Sequence, residues 1–317
     1  MKIVYLDAKT VGDDIDLSYF SDLGETIIFP NTPQEDIGNV IGDADVIIVN
    51  KLKLNESNLK YAKNLKLICE TATGYDNIDI DYCKGHNIGV CNVVGYSSHN
   101  VAQLTIAMAL NLTMKLDEFK NYVDDGSYTK SGIANKLSPT YHEMYGKTWG
   151  VVGLGAIGKQ VANVAKALGC DVLAFKRNPD PEYNCVELDE IFEKSDIISI
   201  HLPLSDSTKG IIDKNLISKM KNDAVLINVA RGAITDEEAL TDAVLNDKIG
   251  GIGIDVYSQE PFSENHPFYK LLGNKKTYLT PHMAWGSYEA RKRCMDEVYN
   301  NIVSFFDGKI RNRLDLQ

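Results

Sequence analysis

Short runs rich in Val and Ile recur along the chain with amphipathic stretches between them, and this alternation limits the fold more than any other feature. A strand that is apolar on both sides needs cover on both faces, which a parallel sheet flanked by helices supplies. A first series of such runs occupies 2–7, 26–29, 46–50, 67–69 and 89–92. A second occupies 148–153, 171–175, 197–202, 224–229, 251–256 and 277–280. The sequence therefore predicts an α/β chain with two doubly wound, Rossmann-like parallel-sheet domains. Two cores also fit 317 residues, at about 150 residues per domain.

Between the two series, Val101, Leu104, Ala107, Met108 and Leu112 recur at helical spacing and predict a helix over 98–114 that bridges the domains. A polar loop is expected around 124–135. After the last strand, Ala290, Cys294, Val298, Ile302 and Phe305 predict a helix over 287–306 that packs back on one of the domains. No Pro-rich or low-complexity tether separates the halves, so a cleft between docked domains is expected.

Charge and composition exclude several classes of partner. Lys and Arg number 33 against 44 Asp and Glu, a net charge of −11, so attraction to a phosphate backbone is not a property of this surface and nucleic acid is not an expected partner. The most weakly charged stretch, 88–114, carries Asn92, His99, Asn100 and Gln103 and is too polar to span a bilayer. The N-terminus runs straight into a strand without the features of a signal peptide, and a cytoplasmic protein is expected. Six cysteines occur without a C-x-x-C pair, which predicts reduced thiols and no metal site.

One loop points to a ligand. Gly153, Gly155 and Gly158 form G-x-G-x-x-G directly after the apolar run ending at Val152 and directly before a helical stretch from Lys159. In that context the first glycine permits a tight turn, the second lets a pyrophosphate approach the backbone, and the third packs helix on strand. The N–H groups of Ala156 and Ile157 then face the anion. The acid that commonly reads the adenosine ribose is expected about 20 residues on, yet the chain there reads Phe175-Lys176-Arg177-Asn178. Two cations in place of a carboxylate favour a 2′-phosphate, so NADP is the expected cofactor. NAD is the alternative, should Lys176 and Arg177 be merely solvated while Asp180 or a backbone group reads the ribose.

Three polar residues follow predicted strands of the second series: Arg231, Glu260 and His282. Ligands of open α/β sheets bind beyond the carboxyl ends of strands. Reduction of a 2-keto acid needs a cation for the substrate carboxylate and carbonyl, a proton donor for the oxygen, and a carboxylate that orients the donor. Arg, His and Glu can supply these roles, although spacing alone leaves open a surface cation, a loop acid and a packed histidine.

The ordered motifs Asn228-Val229-Ala230-Arg231-Gly232, Asp255-Val256-Tyr257-Ser258-Gln259-Glu260-Pro261 and Thr280-Pro281-His282-Met283-Ala284-Trp285 resemble the signature of the D-isomer-specific 2-hydroxyacid dehydrogenases. The glycine loop, His201-Leu202-Pro203-Leu204 with Thr208, and Thr71-Ala72-Thr73-Gly74-Tyr75-Asp76-Asn77 extend the likeness over nearly the whole chain. The resemblance implies a coenzyme domain of 100–288 inserted into a substrate domain of 1–99 plus 289–317. It implies that Arg231 anchors the substrate, that Glu260 pairs with His282, and that main-chain N–H groups near Thr73 and Gly74 hold the carboxylate. Leu202, Pro203, Thr208, Val229, Ala230 and Asp255 would line the cofactor. A homodimer through the coenzyme domain, with 114–145 as the arm, is implied as well.

Within the family, Trp285 three residues after His282, together with Asn50-Lys51 and Gly95-Tyr96-Ser97, is similar to the glycerate dehydrogenase and hydroxypyruvate reductase branch. Hydroxypyruvate or glyoxylate is then the expected substrate. A D-lactate-type or phosphoglycerate-type dehydrogenase is the alternative among enzymes, and a non-catalytic nicotinamide-sensing corepressor or scaffold the alternative outside them.

Overall fold

The computed structural model describes residues 1–316. The chain forms two compact units, Met1–Ser97 with Gly286–Gln317, and Ser98–Trp285. The sequence placed the divisions at 99/100 and 288/289. They fall instead at 97/98, where the helix Ser98–Met114 begins, and at 285/286, two residues ahead of the helix Tyr288–Phe306.

The first unit holds a five-stranded sheet of β1 (Lys2–Tyr5), β2 (Glu25–Ile28), β3 (Val46–Val49), β4 (Leu67–Glu70) and β5 (Gly89–Cys91). All its pairings are parallel and the order is β2-β1-β3-β4-β5, one of the two common doubly wound orders. β3 and β4 are buried along their whole length, which explains their unbroken apolar character. The C-terminal helix Tyr288–Phe306 packs against β4. Ser287 caps it, accepting from Ala290 N–H, and Cys294, Val298 and Ile302 form its buried stripe.

The second unit holds β6 (Thr148–Val152), β7 (Asp171–Phe175), β8 (Asn184–Cys185), β9 (Ile197–Ile200), β10 (Val225–Asn228), β11 (Gly251–Ile254) and β12 (Thr277–Leu279). Their order is β12-β11-β10-β9-β6-β7-β8, again all parallel. Counted from the first strand of this unit, that is the dinucleotide-fold order 3-2-1-4-5-6 with one strand added. The direction of winding reverses between β6 and β9, and the crevice at such a reversal is where ligands bind. The helix Ser98–Met114 packs on β10, β11 and the helix Ala156–Ala167.

Two readings of the sequence need correction. The two-residue edge strand β8 was not anticipated, because so short a polar run carries no period. The segment around 124–135 is not a continuous loop: the helix Leu116–Asp124 runs into it, and a short helix, Ser127–Ser131, follows left-handed Gly126. Of the six cysteines, all free, only Cys185 is not fully buried.

Candidate active site

The glycine loop lies directly after β6, at the winding reversal of the second unit. Gly153 has φ +102°, and a Cβ there would stand 2.7 Å from the carbonyl carbon of His201, so the turn and its approach to the end of β9 both require glycine. At Gly158 a Cβ would meet the Gly153 carbonyl oxygen at 2.1 Å, which fixes the helix tightly on the strand. Gly155 differs: nothing lies within 4 Å of its missing Cβ. It is the N-cap of the helix Ala156–Ala167 and brings no side-chain acceptor to the first N–H groups. An open cradle and uncapped donors are what a pyrophosphate fits. The loop 202–208 beside it is knotted by Thr208, whose Oγ1 donates to the Pro203 carbonyl at 2.6 Å and accepts from Ser205 N–H at 2.8 Å. Burial pushes His201 down to about 3, so its ring adds no charge to the crevice.

The two cations after β7 are not equivalent. Lys176 Nζ lies 3.5 Å from Asp180 Oδ2, and Lys159 Nζ lies 2.7 Å from the same oxygen. Lys159 holds the Asp180 carboxyl below its usual range. Asp180 therefore serves here as a counter-ion to two lysines, while Arg177 forms no ion pair with the described residues. Lys159 was missed in the sequence because its partner is 21 positions away; its place on the first turn after the third glycine was the available signal.

Arg231, Glu260 and His282 follow β10, β11 and β12, at the carboxyl ends of adjacent strands. Asn228 shapes the Arg231 turn by accepting from Ala230 N–H at 3.0 Å and donating to the Arg231 carbonyl at 3.0 Å. The Arg231 guanidinium donates to the Ala230 carbonyl at 2.8 Å. His282 Nδ1 meets Glu260 Oε2 at 2.6 Å, and Glu260 Oε1 accepts from Tyr257 N–H at 3.0 Å. The structure thus brings together the pair that the resemblance implied. With Nδ1 donating to the carboxylate, Nε2 is left to carry a transferable proton.

His282 sits at φ +53°, in the left-handed region that a non-glycine residue seldom occupies. Asp255 holds it there. This fully buried carboxylate accepts from Thr280 Oγ1 at 2.5 Å, from Met283 N–H at 2.8 Å and from Ala284 N–H at 2.8 Å, bracketing His282 on both sides. Burial raises the Asp255 carboxyl above its ordinary range despite these bonds. Tyr257 braces the same turn by donating its hydroxyl to the Thr280 carbonyl at 2.8 Å. Trp285 is half-buried, three residues beyond His282.

In the first unit, the Thr73–Gly74 loop is braced separately. Thr73 Oγ1 donates to the Val93 carbonyl at 2.7 Å and Asn92 Nδ2 to the Thr73 carbonyl at 2.8 Å. Among the described residues, the main-chain N–H groups of Thr73 and Gly74 meet no acceptor.

Residues 106–284 match the family model for the D-isomer specific 2-hydroxyacid dehydrogenase NAD binding domain. The chain belongs to the D-isomer-specific 2-hydroxyacid dehydrogenases. It is 35% identical over 317 residues to the hydroxypyruvate reductase of Blautia hydrogenotrophica, covering 97% of this chain and 98% of that one. Among solved structures it is similar to an acyclic imino acid reductase in complex with NADPH and D-Arg, with a TM-score of 0.87 and 30% identity over 99% of this chain and 100% of the other. It is also similar to the D-lactate dehydrogenase of Aquifex aeolicus complexed with NAD and lactic acid, with a TM-score of 0.85, 28% identity and 99% coverage of both chains. The protein is an NAD(P)-dependent oxidoreductase of 2-hydroxy acids with two parallel-sheet α/β domains. No helix among the described residues is long and apolar enough to cross a membrane.

Proposed function

We propose that this enzyme reduces hydroxypyruvate, and glyoxylate as a second substrate, to the corresponding hydroxy acid with NADPH. The observation that carries the reading is the His282–Glu260 pair at 2.6 Å, with Arg231 on the neighbouring strand end. Similarity to a hydroxypyruvate reductase and the Trp285 position support the substrate.

Gly153, Gly155, Ala156, Ile157 and Gly158 would hold the cofactor pyrophosphate, and Leu202, Pro203, Thr208, Val229, Ala230 and Asp255 would line its remaining length. When bound, the nicotinamide supplies hydride to the carbonyl carbon. The Arg231 fork binds the carboxylate and polarises the carbonyl oxygen, and His282 Nε2 delivers the proton to that oxygen. Glu260 keeps the ring in the donating orientation and places a negative charge beside the imidazolium. The main-chain N–H groups of Thr73 and Gly74 serve the substrate carboxylate.

Arg177 and Lys176 favour the 2′-phosphate. Each exposed pair contributes up to about 1 kcal/mol, or roughly 5-fold, so two cations give a preference of about 5-fold to 25-fold for NADPH. Asp180 draws on Lys176 and sets the result toward the lower end. Steady-state kinetics with hydroxypyruvate, glyoxylate, pyruvate and 3-phosphohydroxypyruvate against NADPH and NADH test both parts. Higher kcat/KM with pyruvate would replace the substrate, and equal or better kcat/KM with NADH would replace the cofactor.

The reading includes a cytoplasmic homodimer. The six cysteines are free, as thiols are in a reducing compartment. Val123, Ile133, Leu137 and Tyr145 are all exposed in the segment 116–145 of the second unit, and exposed apolar area is what self-association covers. Light scattering of the purified protein should report twice the chain mass, and Leu137→Asp should lower it.

A further inference from the structure

Outside the substrate and cofactor residues, Glu237, Ser258 and His266 form a second polar cluster in the same unit. Glu237 opens the helix Glu237–Leu245, and both Glu237 and His266 are more than nine-tenths buried. Glu237 Oε1 accepts from Ser258 N–H at 2.8 Å, and Oε2 accepts from the Ser258 hydroxyl. His266 Nε2 lies 3.0 Å from the same Oε2. Nδ1 of His266 accepts from Phe268 N–H at 3.2 Å, so it is Nε2 that bears the proton donated to Glu237.

That proton placement excludes hydrolase-type chemistry from a Ser, His and Glu set. A serine nucleophile needs an imidazole nitrogen free to accept its proton. Here Nε2 is already protonated, and Ser258 gives its hydroxyl to the carboxylate instead. The three residues hold something in place.

What they hold is the segment that carries Glu260. The peptide between Tyr257 and Ser258 is gripped on one side by Glu237. On the other it is pressed by Gly232, where a Cβ would stand 2.1 Å from the Tyr257 carbonyl carbon. Tyr257 N–H in turn holds Glu260 Oε1, and its hydroxyl holds the Thr280 carbonyl, which also accepts from His282 N–H at 3.0 Å. The Tyr257 ring meets His266 edge-on at 6.2 Å and Phe262 at 4.7 Å. Tyr257 and Ser258 thus link the turn bearing Arg231, the loop bearing Glu260 and the turn bearing His282.

We propose that Glu237, Ser258 and His266 are positioning residues that set Glu260 against His282 and so control proton delivery without touching substrate or cofactor. The proposal rests on the reading of Glu260 and His282 as the proton-donating pair.

The test is a double-mutant cycle of Ser258→Ala and Glu260→Gln, using hydroxypyruvate or whichever 2-keto acid the substrate panel selects. Nucleotide Kd is followed by fluorescence and stability by thermal melting. Ser258→Ala should lower kcat about 5-fold to 30-fold with nucleotide Kd unchanged, and Ser258→Thr, which keeps the hydroxyl, should restore most of it. In the Glu260→Gln background the Ser258 effect should vanish, because its target is gone. Additive losses, or a loss confined to KM or nucleotide Kd, overturn the clamp. An unchanged kcat in Glu260→Gln alone overturns the pair and the clamp with it. Should Ser258→Ala fail to fold, His266→Phe keeps a ring beside Tyr257, Phe262 and Phe268 while deleting the Nε2 proton, and the same outcomes apply.

Discussion

Replacing Asp255 by Asn should cost the enzyme turnover before it costs the fold. The carboxylate takes three donors from the turn 280–284, and at His282 that turn carries a left-handed non-glycine backbone. Such a conformation costs about 1–3 kcal/mol and persists only where its surroundings impose it. Asn keeps one acceptor oxygen. Oriented best, it retains Thr280 Oγ1 and Met283 N–H and turns its NH2 against Ala284 N–H. One bond is then lost with a buried donor left unpaired, about 1–3 kcal/mol, and the two remaining bonds lose their ionic character, about 1 kcal/mol each. Against this stands the relief of burying a charge, which burial of Asp255 makes substantial. The net is a destabilisation of about 1–3 kcal/mol, comparable with the strain that the carboxylate opposes.

The turn can therefore relax, and His282 leaves its place opposite Glu260 for much of the time. We expect kcat to fall about 10-fold to 100-fold, equivalent to about 1.4–2.7 kcal/mol, with a modest drop in Tm. Thr280→Val, which deletes one of the three donors, should give a smaller fall in the same direction. Steady-state kinetics at saturating keto acid, paired with nucleotide titration by fluorescence, distinguish the origin of the loss. If it appears wholly in nucleotide Kd with kcat intact, Asp255 serves the cofactor alone and the reasoning about the strained histidine is wrong.

Other outcomes follow from single positions. His282→Ala should fold and bind nucleotide while kcat drops by about 100-fold or more, and near-native turnover would remove it from the mechanism. Arg231→Lys, which loses the planar fork, should raise KM for the keto acid and lower kcat together; unchanged values would make the residue structural. Gly155→Ala should leave stability to denaturant intact but weaken nucleotide binding, whereas Gly158→Ala should destabilise by about 1–3 kcal/mol, since its Cβ meets backbone. Equal behaviour of the two would refute the assignment of the cradle. Burial raises the Glu70 carboxyl well above its ordinary 4.5. The unfolded chain therefore ionises first, and the native state loses stability as pH rises past about 4.5. Glu70→Gln, which keeps the bond from Asn77, escapes that loss, so its Tm should exceed the native value at pH 7–8 by a margin that shrinks toward pH 4.5. A margin independent of pH would show that Glu70 is ionised in the fold.

The strands were legible because burial on both faces writes an unbroken apolar run, as in Val46–Val49 and Val225–Asn228. The glycine loop was legible because turn, cradle and helix start are consecutive in the chain. The Arg231, Glu260 and His282 set was legible only as an ordered series of motifs, since nothing local in the sequence says that three strand ends converge. β8 and the short helix Ser127–Ser131 escaped because a few residues cannot display a period.

The supports of the catalytic residues escaped for a different reason. Glu237 reaches Ser258 across 21 positions and His266 across more, while Asp180 meets Lys159 across a strand and a loop. In the sequence, Glu237 and Glu238 are adjacent and alike. Folding buries the first and leaves the second exposed, because only the first faces the 257–266 segment. A buried carboxylate that accepts two hydrogen bonds from Ser258 and a third from His266 cannot be exchanged for its neighbour, although composition and helix propensity treat them as equal. The chemistry-bearing residues therefore announce themselves by type and order. Those that aim them are distinguished only by which side of the helix meets the core, and for that reason the variants at Glu237, Ser258, His266 and Asp255 carry more information about this enzyme than further substitutions at His282 itself.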